Sequence, residues 1–237
     1  MTPPDPAKHH AACLAADLVE SGMSVGLGSG TTARMMIERL GQRVVEEGLA
    51  FVGVPTSRAT ADLAASVGIR LVDLDEVSTL DLDIDGADEV DGSYRLIKGR
   101  GGALLREKIV ASYASRRVFI VGEDKHVERL GERYPVPVEV SAFGLSHTER
   151  ALGKLGAVTT IRTVAGSGDP YVTDGGNRII DCRFASGIDD PGGLEAALKR
   201  VPGVLETGLF LGLCDALIIG HAERAELIEV GGRRAGG

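Results

Sequence analysis

The stretch Met23-Ser-Val-Gly-Leu-Gly-Ser-Gly-Thr-Thr32 decides how the rest of the chain is read. Met23 to Leu27 is a short apolar strand that runs directly into a glycine-rich turn. The apolar positions Met36, Ile37, Leu40 and Val44 then recur at helical spacing, and Ala50-Phe-Val-Gly-Val54 reads as a second buried strand. That is one strand–helix–strand unit. Working outward, a helix is predicted over Ala7 to Ser21, another over Arg58 to Ser66, and strands at Arg70 to Val72 and Leu80 to Ile84. A helix from Ala103 to Ala114 precedes the strand Val118 to Val121. Strands alternating with helices predict a parallel sheet covered on both faces.

From about Val136 the texture changes. A helix is expected near His147 to Leu155, a strand at Ala157 to Val164, a hairpin turning at Asp174-Gly-Gly-Asn177, a helix from Gly193 to Arg200 and a strand near Val204 to Glu206. Asp215 to Ile219 and Glu226 to Val230 read as strands that rejoin the main sheet, so the α+β lobe is an insertion. The expected division is a main domain of residues 1–134 and 208–237 and a smaller lobe of residues 135–207. The glycine-rich tail from Gly231 is expected to fray.

Composition narrows the function classes. With 237 residues, 43% of them hydrophobic, the chain can bury a substantial core. A net charge of -8, with both signs interspersed, gives no electrostatic footprint for nucleic acid. No run of about 18 apolar residues is present, and Met1-Thr-Pro-Pro-Asp-Pro6 is not a leader pattern, so a soluble cytoplasmic protein with no membrane partner is expected. Cys13, Cys182 and Cys214 lie far apart in apolar surroundings and read as reduced core residues. No two of the five histidines stand at i, i+4, and no metal site is expected.

Three segments carry chemistry. Gly26-Leu-Gly-Ser-Gly-Thr-Thr32 joins a strand to a helix, where backbone N–H groups and the helix dipole favour an anion, with Ser29, Thr31 and Thr32 adding hydroxyls. It is neither a Walker loop nor a dinucleotide fingerprint; the alternative is a glycine turn with Thr31 capping the helix. Asp85-Gly-Ala-Asp-Glu89 follows a strand, at the carboxyl end where open α/β sheets bind ligands. Asp81 and Asp83, further back on that strand, are expected to face solvent or form a cap. Lys98-Gly-Arg-Gly-Gly-Ala103 opens the next helix, and Glu107 shares a face of it with Ala103, Val110 and Ala111. A carboxylate half-buried on a small apolar face is pushed toward neutrality, where a base that must also return its proton works best. Lys125 follows the strand Val118 to Val121 and reaches the same end of the sheet, or stays solvated.

Taken together these segments, with Asp124-Lys125, Pro135 to Val140 and Asp174-Gly-Gly-Asn-Arg-Ile-Ile-Asp181, resemble the type A ribose-5-phosphate isomerase family over nearly the whole chain. The resemblance implies an α/β fold with a Rossmann-like parallel-sheet main domain and a smaller inserted α+β, ferredoxin-like lobe at an oligomer interface. It implies a cofactor-free homodimer or homotetramer that interconverts ribose 5-phosphate and ribulose 5-phosphate through an enediolate. Glu107 then matches the family's base, and Asp85, Asp88 and Lys98 match residues lining the sugar. Ser29, Gly30, Thr31, Thr32 and Lys125 match binding positions, with Gly86, Ala87, Gly99, Arg100 and Gly101 beside them, and Lys8 matches a phosphate-contacting lysine. The family carries Gly or Arg at the position of Arg100. Rival readings are a coenzyme A transferase, in which Glu107 serves as nucleophile, and a sugar-phosphate sensor; Lys98 and the aspartate pair favour proton transfer.

Overall fold

The computed structural model describes residues 5–231; the tail expected to fray lies outside them from residue 232 on. In chain order the elements are α1 (Pro6–Asp17), β1 (Ser24–Leu27), α2 (Thr31–Glu47), β2 (Val52–Pro55), α3 (Arg58–Ser66), β3 (Arg70–Leu71), β4 (Leu82–Gly86), β5 (Glu89–Asp91), β6 (Leu96–Ile97) and α4 (Leu104–Tyr113). They continue as β7 (Arg117–Gly122), β8 (His126–Val127), β9 (Val136–Val140), α5 (Leu145–Gly153), β10 (Val158–Ile161), β11 (Arg178–Arg183), α6 (Pro191–Lys199), β12 (Val204–Thr207), β13 (Leu209–Phe210), β14 (Ala216–Gly220) and β15 (Ala225–Glu229).

The chain divides into two compact units. The first takes in the described part of Met1–Gly86, Ile109–Asp124 and Leu213–Gly237. Its sheet has the order β15-β14-β7-β4-β1-β2-β3, parallel except for the β14–β15 pair. Such a sheet is covered on both faces, so its central strands are continuously buried. Val25, Leu27, Met36, Ile37, Leu40, Ile84, Ile120 and Ile218 form its core. The same covering corrects the reading of β4: Asp83 is 1% exposed and faces no solvent. Asp81 does act as a cap, accepting from the N–H of Ser24 at 2.7 Å. Leu80 makes only an isolated bridge to Ala114, and the strand begins two residues later than expected. α2 stops at Gly48, which takes φ 70°, a left-handed conformation that glycine adopts without strain.

The second unit is Ala87–Lys108 with Lys125–Gly212. Its larger sheet, β10-β11-β9-β12, is antiparallel, and the order β9-α5-β10-β11-α6-β12 along the chain is the ferredoxin-like arrangement. Val136, Val138, Val140, Leu152, Ile180 and Leu198 fill its core. A further sheet, β13-β6-β5-β8, is made of strands of two or three residues. It is the reason the division differs from the expected one at 134/135 and 207/208: pairing of β5, β6 and β8 with one another and with β13 ties residues 87–108 and 125–134 into this unit. The turn at Asp174 to Asn177 forms, with Thr173 N–H bonded to the Asn177 carbonyl at 3.1 Å. It closes a small loop ahead of β11 and does not itself join β10 to β11. Cys182 and Cys214 are buried as expected, whereas Cys13 is half-exposed on α1.

Candidate active site

In the first unit the loop after β1 and the end of β4 meet because the strands are parallel and in register, Leu27 opposite Ile84. Gly28 therefore lies against Asp85. A Cβ on Gly28 would come within 2.2 Å of Asp85 Oδ1 and 2.5 Å of its Cα, so only glycine fits. Asp85 is 1% exposed; its Oδ1 accepts from Ser29 N–H at 3.0 Å and from Gly86 N–H at 2.7 Å. The carboxylate thus pins the loop to the strand end.

Gly30, at φ 104°, is the N-cap of α2 and supplies no side-chain cap. Thr31 is not the cap, so that alternative falls. The first-turn N–H groups of α2 face outward with the positive end of the helix dipole, a ready anion cradle. Thr31 is exposed beside it and Thr32 is buried.

Sequence reading missed the residues behind Ser29. Its hydroxyl lies 2.9 Å from Thr56 Oγ1, 2.8 Å from Ser57 Oγ and 3.1 Å from Thr60 Oγ1. Thr60 in turn donates to the Gly28 carbonyl at 3.0 Å. The signal was available, since Thr56 and Ser57 follow β2 just as Gly28 and Ser29 follow β1. Lys8 is half-buried on α1 and pairs with Asp5 at 3.5 Å. The carbonyl of its neighbour Ala7 packs on Gly220, the last residue of β14.

In the second unit, Asp88 follows Ala87 and accepts the N–H of Arg100 at 3.0 Å on Oδ2. Lys98 is held by its own N–H to the Gly208 carbonyl at 2.9 Å. Its ammonium lies 3.5 Å from Glu107 Oε2, with side chains 3% and 4% exposed. Glu107 is therefore buried outright, beyond the half-burial expected of it. The Lys98 ammonium also sits 5.5 Å from the centre of the Phe210 ring, and that of Lys108 lies 4.9 Å from the same ring. Lys108 is bound to Glu195 at 3.0 Å, Glu206 at 2.9 Å and the Leu209 carbonyl at 2.7 Å. Burial pushes the Glu206 carboxyl up, but the charge of Lys108 and hydrogen bonds from Lys199, Thr207 N–H and Lys108 outweigh it and leave it below the ordinary 4.5.

Lys125 is half-buried with its ammonium 5.5 Å from the Tyr134 ring centre, and Arg100 stands 4.6 Å from the same ring. The loop that presents Tyr134 is gathered by Glu89, whose fully buried carboxylate accepts the N–H groups of Gly131 at 2.6 Å, Arg133 at 2.8 Å and Tyr134 at 2.6 Å. Glu89 was read only as part of the acidic turn.

The structure thus joins Ser29, Asp85 and Gly86 in one unit. In the other it joins Asp88 to Arg100, Lys98 to Glu107, and Arg100 to Lys125 around Tyr134. No group of three or more metal-ligating side chains forms among the described residues. No helix among them is long and apolar enough to cross a membrane. A buried carboxylate beside an ammonium can accept a proton from carbon while the cation faces the negative charge that develops.

The sequence profile described as ribose 5-phosphate isomerase A (phosphoriboisomerase A) matches residues 52–224. Ribose-5-phosphate isomerase A of Roseobacter denitrificans is 48% identical over 231 residues, covering 94% of this chain and 86% of its own. The structure of ribose 5-phosphate isomerase A from Methanocaldococcus jannaschii superposes with a TM-score of 0.89 at 40% identity, over 94% of this chain and 98% of that one. A D-ribose-5-phosphate isomerase in complex with phospho-erythronic acid superposes with a TM-score of 0.90 at 38% identity, over 94% and 97%. A profile spanning well over half of the residues, and relatives this similar over nearly their whole length, make the chain a member of the ribose 5-phosphate isomerase A family.

Proposed function

We propose that this chain interconverts ribose 5-phosphate and ribulose 5-phosphate through an enediolate, as a step of the non-oxidative pentose phosphate pathway. The observation that carries the reading is the buried Lys98–Glu107 pair at the glycine-rich start of α4. Glu107 takes the proton from C2 of the open aldose and returns it to C1, while Lys98 faces the oxygen that becomes negative. A hydroxyl proton moves from O2 to O1 in the same sense, so atoms and charge balance and no external oxidant or reductant is consumed. Asp85 or Asp88 opens the ring and moves that hydroxyl proton. Ser29 to Thr32 receive the phosphate on the first turn of α2, with Lys8 and Lys125 as further cations. Phospho-erythronic acid, held by one solved relative, carries a phosphate on a polyhydroxylated carbon chain, as the substrates of this reading do.

The decisive experiment is a coupled assay for ribulose 5-phosphate formed from ribose 5-phosphate by the full chain in EDTA. Turnover is expected; its absence overturns the proposal. Assembly as a homodimer or homotetramer and residence in the cytoplasm belong to the same reading. Light scattering after size exclusion checks the first, and fractionation the second.

A further inference from the structure

Arg162 follows β10 in the second unit, and its guanidinium serves two masters. Its Nε donates to Asp181 Oδ2 at 2.9 Å and its Nη2 to Asp181 Oδ1, a two-pronged pairing that fixes the plane of the group. Its Nη1 donates to the carbonyls of Gly99 at 2.9 Å and Arg100 at 3.0 Å. The backbone of Arg162 is itself anchored, its N–H on the Ile179 carbonyl and its carbonyl accepting from Tyr171 N–H, each at 2.9 Å.

The peptide between Gly99 and Arg100 is planar, so its carbonyl and its N–H point in opposite directions. The carbonyl is held by Arg162 and the N–H by Asp88 Oδ2 at 3.0 Å. One rigid peptide therefore links the Arg162 guanidinium to the Asp88 carboxylate. A carbonyl that accepts from a cation also makes the N–H of the same peptide a stronger donor. The next stretch of loop is gripped from the same segment: Tyr171 donates its hydroxyl to the Gly101 carbonyl at 3.3 Å and fills the space beside Gly102, where a Cβ would come within 2.4 Å of its oxygen. Gly99 and Gly102 take φ of 101° and 85°, so the loop lies outside regular structure and depends on these contacts for its shape.

We infer that Arg162, oriented by Asp181, is a positioning residue for the reaction. It sets the Gly99–Arg100 peptide and through it the Asp88 carboxylate and the loop that connects Lys98 to Glu107. The inference rests on the roles proposed above for Asp88, Lys98 and Glu107. Lysine is a poor substitute, because a single ammonium cannot hold Asp181 on two oxygens and both carbonyls from one plane.

The test is steady-state kinetics of the full chain with R162A, R162K, D181N and E107Q, each with and without tens of millimolar guanidinium chloride. A cavity of about 180 Å³ borders Asp88, Arg100, Tyr134 and Arg162 and gives a small cation access. R162A is expected to lower kcat by about 10- to 100-fold, the effect of misplacing reacting groups by an ångström or less, with KM within about threefold. Added guanidinium should restore kcat several-fold in R162A and leave wild type and E107Q unchanged, and R162K should fall between. D181N, which keeps the arginine, should lose kcat more than KM and covers the case in which R162A does not fold. Wild-type kcat in R162A or D181N, or a loss in soluble R162A that guanidinium does not rescue, overturns the inference. An active E107Q would instead overturn the assignment of the base.

Discussion

The Lys98 ammonium lies 3.5 Å from Glu107 Oε2, and neither side chain is more than 4% exposed. Removing one partner from such a pair strands the other charge, whereas removing both does not. E107Q keeps the shape and deletes the base, so kcat should fall by about 10² to 10⁴ with little change in KM. K98M should lower unfolding stability by about 3 kcal/mol, and the E107Q/K98M double variant should recover part of that loss. Urea denaturation of the four proteins measures the coupling; strictly additive effects would show that the pair does not interact.

Gly28 tolerates no side chain, because its neighbour Asp85 occupies the space. G28A should force β1 and β4 apart at their ends, costing about 1 to 3 kcal/mol, and should raise KM for the sugar phosphate as the loop before α2 shifts. G92A, at a glycine of ordinary φ where nothing lies within 4 Å of an added Cβ, is the comparison for a methyl group added without crowding. Thermal melts and kinetics of the two variants isolate the crowding.

Acid should destabilise the protein in part through Asp215 and Glu206. Burial raises the Asp215 carboxyl, but hydrogen bonds from the Arg117 side chain and N–H and the charges of Arg117 and Arg116 more than offset it and hold it below the ordinary 3.8. A carboxylate lowered on folding contributes stability that is fully present above its unfolded value, about pH 4, and is lost as pH falls through the folded value. The urea midpoint should therefore drop below about pH 4, and less steeply in D215N and E206Q than in wild type.

Cys13 should react before the other two thiols. Burial, and then the charges of Asp181 and Asp215, push Cys182 and Cys214 up to about 12, so at pH 8 almost no thiolate is present. Cys13 is also raised by burial, but it is half-exposed. A disulfide reagent should titrate one thiol in the native protein and three after denaturation. C13S should abolish the native reaction.

Much of this fold was legible because its signals are local. The helix over Arg58 to Ser66 matches the prediction at both ends, with Ser57 capping it through Thr60 N–H, and the glycine loop after β1 lies where the strand–turn–helix pattern put it. The small sheet of β13, β6, β5 and β8 was not legible, since strands of two or three residues carry no period and depend on partners as distant as Leu209 is from Ile97. The same limit hid the site's support. Glu89 and Arg162 act through backbone groups distant in sequence, and Asp181 through the Arg162 side chain, so no spacing announces them. Asp83, further back on β4, was expected to face solvent or form a cap; in a parallel sheet covered on both faces neither side of a central strand meets water, and a lone aspartate does not announce that covering.

Both compact units are assembled from discontinuous segments, and this bears on how the molecule comes into being. β7 waits for β14 at its edge, and Arg117 for Asp215, a partner 98 residues downstream. During synthesis the seven-stranded sheet stays open at that edge until the chain beyond Leu213 has left the ribosome, long after α1, β1 and α2 have emerged. Closing so distant a pairing makes folding slow for the size of the protein and leaves β7 as an unprotected edge meanwhile. Neither unit can be obtained as a single contiguous fragment, and a nascent chain stalled before β14 leaves β7 open to pairing with another chain.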